Sequence, residues 1–484
     1  MNEGLLLFII VPVLIAVIGP FVRRLSSVLV EMLSVLALAF GLTAALMKIP
    51  LAARLGAQFR GAKGMLPTPV FQGDEFSILM IVTIYLVSLA TVFYSACSVR
   101  EADKRASYFS LILICTAGMA GVVISGDFFT MYVFLEVVAV SAFALISFSG
   151  DSEGIEGAIK YLFLSAPASL LILLGVAFLF LNTGGTSFSS LFETLARGEG
   201  SRAGILMALG LFASGFMIKA GLVPFHGWVP DAYQSSPAPI SALLSGIITK
   251  VTGVYALVRM SMFLTAAPGY IHVAQALMFF GALSIVVGAL AAMVQRDFKR
   301  LLAFSSISQV GYIVLAAGLG TPMALIGAAF HLFNHATFKT TLFLNAAAVE
   351  GATGTRDMAK LGGLGSKMPW TTGTSVVAFL STAGIPPLSG FWSKLIIILA
   401  LWMGGARGYA ILAILASILT LGYFLILQRK VFFGEPVSLT EGVKEAAPGM
   451  LIPVVVLAAL MILIGLYFPL VFRSLVGPAA KALL

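Results

Sequence analysis

Apolar runs of about twenty residues, separated by short polar segments, recur along the whole chain. Fourteen are counted, at roughly 3–22, 26–47, 76–98, 106–125, 127–149, 156–181, 203–229, 237–260, 269–293, 298–318, 322–348, 370–399, 408–428 and 449–471. A helix of that length crosses the hydrocarbon core of a bilayer. The pattern predicts an all-α polytopic membrane protein of about 14 transmembrane helices. The longest polar stretch, "KIPLAARLGAQFRGAKGMLPTPVFQGDE", is too small for a catalytic domain, so any chemistry lies inside the bundle. The opening "MNEGLLLFIIVPVLIAVIGPFVRR" lacks a basic n-region and a small-residue cleavage signal, and reads as a retained first span.

The runs also repeat one another. "GDFFTMYVFLEVVAVSAFALIS" (126–147) aligns with "RDFKRLLAFSSISQVGYIVLA" (296–316), "GAIKYLFL" (157–164) with "AAFHLFNH" (328–335), and "KAGLVPFHGW" (219–228) with "TAGIPPLSGF" (382–391). The order is kept and the offset stays near 170. Each unit holds five spans. Five is odd, so the second copy starts from the opposite face, the inverted-repeat architecture of many transporters. The expected division is 1–105 for the first three helices, 106–260 and 261–430 for the two repeats, and 431–484 for the last helix.

Composition narrows the class. Hydrophobic residues make up 60% of the chain and charged ones 10%, against about a quarter charged in globular proteins. The net charge of +9 sits mainly in short loops, where membrane topology explains it better than nucleic acid does. With the N-terminus outside, about fourteen basic residues fall in inner loops and ten in outer segments, which favours both termini outside a cell inner (plasma) membrane. The loop charges in that balance include Arg24, Arg60, Lys63 and Arg100. Cys97 and Cys115 have no partner spacing for zinc or an iron–sulfur cluster.

Several charges interrupt the apolar runs: Glu136, Lys160, Lys219, His226, Lys250, His331, His335, Lys339 and Lys394. A charge at the bilayer centre costs at least about 2.5–3.5 kcal/mol, so such residues persist where they face a polar interior. Lys160 and Lys339 are equally well explained as snorkelling toward an interface. Lys219 is not, since its nearest water-facing end is several turns away. A lysine's proton affinity falls beside another ammonium and rises beside Glu136, which is the minimum for a proton relay switched by neighbouring charge. The histidines add groups that titrate near neutral pH, although His335 by itself reads best as a neutral core residue. His331 and His335 lie one turn apart, but no acidic third ligand is near, and no metal or other cofactor is expected. Pro224, Pro230, Pro386 and Pro387 are expected helix breaks near Lys219 and Lys394. Broken helices at matching places in two repeats point to an ion path.

"FMIKAGLVPFHGWVPDAYQSSPAPISALLSGIITKVTGVYALVR" resembles the antiporter-like subunits of respiratory complex I, and the large subunits of Mrp-type cation/proton antiporters and energy-converting membrane hydrogenases. "HLFNHATFKTTLFLNAAAVEGATGTRDMAKLGGLGSKMP" looks closer to the Mrp and hydrogenase branch. The resemblance implies fourteen spans with inverted repeats, a Glu136–Lys219 pair, and relay lysines at Lys250 and Lys394. His226 and His331 fall at its connecting positions. It implies a proton-translocating subunit working with other membrane subunits in the lipid bilayer, moving protons, with sodium exchange left open. A stand-alone secondary transporter for a solute or ion is the alternative. A redox enzyme in its own right is not supported, because the chain has no GxGxxG fingerprint, cysteine cluster or soluble domain.

Overall fold

The computed structural model describes residues 4–23, 26–59, 71–99, 102–266, 269 and 271–483. Among the loop charges used for topology, Arg24, Arg60, Lys63 and Arg100 lie outside the described residues. The opening helices are α1 (Leu7–Val22), α2 (Ser27–Phe59), α3 (Glu75–Ser98) and α4 (Ala102–Ile124). Then come α5 (Phe128–Ile146), α6 (Ser152–Thr183) and a short helix α7 (Phe188–Arg197). The predicted seventh span is two pieces, α8 (Arg202–Ala220) and α9 (Trp228–Ser235). The eighth begins as α10 (Ala238–Leu243), continues through two π-helical segments, Leu244–Ile248 and Lys250–Tyr255, and ends as α11 (Ala256–Ala266).

The second half contains α12 (Ile271–Met293), α13 (Phe298–Leu319) and α14 (Pro322–Thr353). The predicted twelfth span is again broken, into α15 (Pro369–Ala383) and α16 (Ser389–Met403). The chain ends with α17 (Arg407–Val431), α18 (Pro448–Leu466), and the short helices α19 (Phe468–Val471) and α20 (Gly477–Lys481). The protein is an all-helical, multi-pass membrane protein. Eleven helices among the described residues are long and apolar enough to cross a bilayer, fewer than the fourteen expected. The shortfall has physical causes. α1 has 16 residues, the twelfth span is interrupted, and α14 carries a polar row in its centre.

That row is the key to the packing. α14 touches α3, α10, α13, α15, α16 and α18, and its residues from Leu325 to Val349 are buried apart from Ile326. A helix enclosed on all sides by protein keeps polar side chains away from lipid, which a peripheral helix cannot do. Outer helices show the reverse pattern: α6 exposes Phe163 and Leu181, and α17 exposes Ile418.

Two hairpins match at an offset of 170. Asp127 caps α5 by accepting from Thr130 N–H, and Asp297 caps α13 by accepting from Arg300 N–H. Phe128 N–H donates to Thr186 C=O, and Phe298 N–H to Arg356 C=O. α6 and α14 are each 32 residues long, and each ends at a left-handed glycine, Gly184 and Gly354. This register pairs His331 with Tyr161, one residue from the sequence alignment of 157–164 with 328–335. The two capped ends lie at opposite ends of the bundle. Asp297 meets Gln234 at the end of α9, and Arg356 meets Glu153 at the start of α6.

Candidate functional site

α8 stops because Gly221 takes φ +68 and Pro224 follows it. Trp228 Nε1 donates to Ile218 C=O across the break at 3.1 Å, supplying a donor to the last turn of α8. Lys219 therefore stands in that last turn, where carbonyls with no intrahelical partner favour a cation. Its Nζ donates to Ser165 Oγ at 3.3 Å and lies 3.7 Å from Glu136 Oε1. Ser169, one turn beyond Ser165 on α6, donates to the same Glu136 oxygen. The Lys219 side chain is 4% exposed and that of Glu136 is 38% exposed, so the carboxylate opens on a flank of the bundle.

A cavity of about 10 Å³, the lower limit for one water, lies beside Lys219 between Tyr161, Ser165, Ile218, Trp228 and Thr252. Thr252 belongs to the π-helical segment that carries Lys250. One glycine in each π-helical segment, Gly246 and Gly253, holds this run in place. A Cβ on Gly253 would sit 2.3 Å from the Ala220 backbone nitrogen, and one on Gly246 would sit 2.3 Å from Thr340 Oγ1. The run thus touches the end of α8 on one side and α14 on the other, with Lys250 between. Lys250 is fully buried, and its Nζ has no hydrogen-bond partner.

Beyond Lys250, α14 continues the line. His335 is in electrostatic contact with Lys250 and Lys339, and neither of its ring nitrogens is bonded. Lys339 donates to Ser305 Oγ at 2.7 Å and to Leu302 C=O at 3.1 Å, and Ser305 pairs with the Tyr423 hydroxyl at 2.8 Å. His331 Nδ1 pairs with Ser393 Oγ at 2.9 Å. Lys394, one residue after Ser393, is in electrostatic contact with His331 and Lys339. Its Nζ lies 4.6 Å from the Tyr312 ring centre and 3.5 Å from Ser417 Oγ. The unpaired atoms of Lys250, His335, His331 and Asn334 cluster along this stretch. Buried polar atoms are normally bonded by protein or ordered water, so this stretch is suited to bound water.

Lys219, Lys250, His335, Lys339, His331 and Lys394 therefore share one buried line, with Glu136 at its exposed end beside Lys219. Lys339 is 0% exposed, which removes snorkelling as its explanation. His226 is half-buried in the turn between α8 and α9, 6.3 Å from the Phe304 ring. Lys160 stands apart. Its side chain is 44% exposed and pairs with Glu156 at 2.6 Å and Asp231 at 2.8 Å. Pro224, Pro386 and Pro387 lie in the breaks, but Pro230 does not break anything. It is the third residue of α9, where an amide has no intrahelical acceptor, so proline costs little. No group of three or more His, Cys, Asp or Glu side chains among the described residues is placed to hold a metal.

Sequence reasoning missed three features. The first is the serine pair Ser165 and Ser169, legible as two hydroxyls one turn apart in an apolar helix. The second is a charged cluster at the α9 end. Asp231 accepts from Arg300 at 2.5 Å, Lys299 pairs with Glu350 at 2.9 Å, and Arg356 pairs with Asp297 at 3.2 Å. Burial outweighs these partners at Asp297 and holds its carboxyl above the ordinary range. The third is the pair of Asp74 with Arg259.

Residues 125–420 match the family described as NADH:quinone oxidoreductase/Mrp antiporter, TM. NADH-quinone oxidoreductase subunit N of Desulforudis audaxviator is 36% identical over 403 residues, covering 80% of each chain. A Na(+)/H(+) antiporter subunit of Alkalihalophilus pseudofirmus is 33% identical over 398 residues, 82% of this chain and 80% of that one. A chain in the structure of the Mrp complex from Dietzia sp. DQ12-45-1b superposes with a TM-score of 0.89 at 27% identity, covering 100% of this chain and 98% of that one. By these matches the protein belongs to the NADH:quinone oxidoreductase/Mrp antiporter transmembrane family.

Proposed function

We propose that this chain is a proton-translocating subunit of a multisubunit membrane complex, related to those named above. Its fold would comprise two inverted repeats, 106–260 and 261–430, flanked by 1–105 and 431–484, with both termini outside a plasma membrane. The matched caps, helix lengths and glycine ends at an offset of 170 support that division.

The observation that carries the function is the buried line of amines and imidazoles from Lys219 to Lys394. Lysines enclosed this way hold a proton only where a neighbour favours it. With Glu136 near, the proton rests on Lys219. When Glu136 turns away or is neutralised, that preference weakens and the proton moves through water toward Lys250. His335 and Lys339 carry it on, and Lys394 is the far terminus. His331 sets the approach to Lys394, and His226 lies on a side connection at the break. The cavity beside Lys219 is water-sized, which suits a proton path and leaves no room there for an organic solute.

Purified complex carrying Lys219→Ala, reconstituted in vesicles with a pH-sensitive dye, tests this reading. Coupled proton movement is expected to be lost while subunit composition stays intact. Transport at the wild-type rate in the assembled variant removes Lys219 from the path.

A further inference from the structure

A relay that hands protons along the bundle must not lose them partway, at a point other than its two ends. Nine residues beyond Lys250, roughly 13 Å along the same helical run, stands Arg259. Its side chain is 11% exposed and makes a bidentate pair with Asp74, the residue that caps α3. Nη1 donates to Asp74 Oδ2 at 2.5 Å, and Nη2 to Asp74 Oδ1 at 2.6 Å. Nη2 also donates to Ser77 Oγ at 2.8 Å, and Nε to the Tyr255 hydroxyl at 2.9 Å.

The direction of these bonds matters more than their number. Ser77 Oγ and Tyr255 Oη each donate their own proton to the same carbonyl, Val123 C=O, at 2.8 Å. Both hydroxyls therefore accept from a guanidinium and donate to a carbonyl. A proton wire needs members that accept a proton on one side and release one on the other. A guanidinium has donors but no acceptor and does not deprotonate, and a backbone carbonyl passes nothing on. Among the described residues, the Asp74 carboxylate, the member that can bind a proton, accepts only from Arg259 and from Ser77 N–H, neither of which gives its proton up, so the cluster is a hydrogen-bonded dead end. Phe76 and Tyr255 close it further. Their rings stack at 5.1 Å, and the guanidinium lies 5.2 Å and 5.3 Å from the two ring centres.

We propose that Arg259, held by Asp74, Ser77 and Tyr255, is a proton seal that keeps protons on Lys250 from escaping at the Asp74 end of the bundle. The seal rests on the relay reading above, because it guards that relay's middle lysine. The arrangement contrasts with the rest of the line, where serine, tyrosine and histidine partners can both take and give a proton.

The test is passive proton leak. Purified complex in vesicles is given a pH gradient with no driving reaction, and its decay is followed by dye. Arg259→Ala is expected to collapse the gradient several-fold faster than wild type. Arg259→Lys keeps the charge and the Asp74 pair, but its ammonium can surrender a proton, and it is expected to leak as well. Adding Lys250→Met to Arg259→Lys should return the leak to the wild-type rate. An assembled Arg259→Lys complex that holds its gradient as well as wild type overturns the seal, and so does a leak that survives Lys250→Met. Neither result touches the relay itself, which Lys219→Ala tests separately.

Discussion

Lys219 Nζ and Glu136 Oε1 lie 3.7 Å apart, and each is held by a serine of α6, Ser165 for the lysine and Ser169 for the carboxylate. The two serines are one turn apart on one helix. A shift of α6 therefore changes both partners at once. The half-exposed carboxylate is the side open to influence from outside the chain, and the buried lysine is the side facing the relay.

This arrangement makes the serines positioning residues. Ser169→Ala removes a donor to Glu136 and leaves the ion pair free to tighten or drift. We expect slower coupled transport with unchanged assembly, and a shifted pH profile of transport. Ser169→Thr restores the hydroxyl and is expected to recover most of the rate. Vesicle transport measured across a series of pH values checks both outcomes.

The two glycines of the π-helical run should differ in sensitivity. At Gly253 an added methyl meets the Ala220 backbone, which cannot swing away. At Gly246 it meets side-chain atoms, the Thr340 hydroxyl and Val87 Cγ1, rather than backbone. Gly253→Ala should cost about 1–3 kcal/mol, the usual penalty of overpacking, and Gly246→Ala less. Thermal unfolding of the purified complex in detergent ranks the two.

Much of this is legible in the sequence. The buried lysines stand out because an apolar run has no other reason to hold them, and the broken spans announce themselves through Gly-x-x-Pro at 221–224 and Gly-Ile-Pro-Pro at 384–387. The π-helical path of 244–255 is not legible, since its apolar residues fit an ordinary helix and only the close approach of α8 and α14 explains its glycines. Lys160 reads equally well as a relay member or as a lysine snorkelling to an interface, because it occupies an apolar run. Glu156, one turn before it, is a local partner, but the second partner, Asp231, is 71 residues away and no local pattern discloses it. Pro230 misleads for a related reason: proline breaks a helix interior but is at home in a first turn, and the start of α9 is not visible in the sequence.

Pro230→Ala should accordingly be close to silent. Stability within about 0.5 kcal/mol of wild type and an unchanged transport rate are expected. A strong loss of either would show that the proline shapes the break after all.

Asp74 gives a pH-dependent prediction. Burial alone would raise its carboxyl, but the Arg259 charge and the bonds from Arg259 and Ser77 hold it below the ordinary range. A depressed folded value means that the stabilisation is present above the unfolded value, near about 4, and is lost as pH falls through the folded one. Asp74→Asn should lower the melting temperature at about pH 7, and the gap to wild type should narrow below about pH 4. A gap that stays constant with pH would contradict the charge-pair account of this cluster.

The central claim is tested most directly at Lys250, which is buried and unbonded on the π-helical run that packs between α8 and α14. Lys250→Met preserves the shape of the site and removes the proton carrier. Coupled proton transport by the reconstituted, fully assembled complex is predicted to fall by about a hundredfold or more, the scale of losing a positioned acid–base group. Transport at the wild-type rate in that variant would contradict a relay through the centre of the bundle.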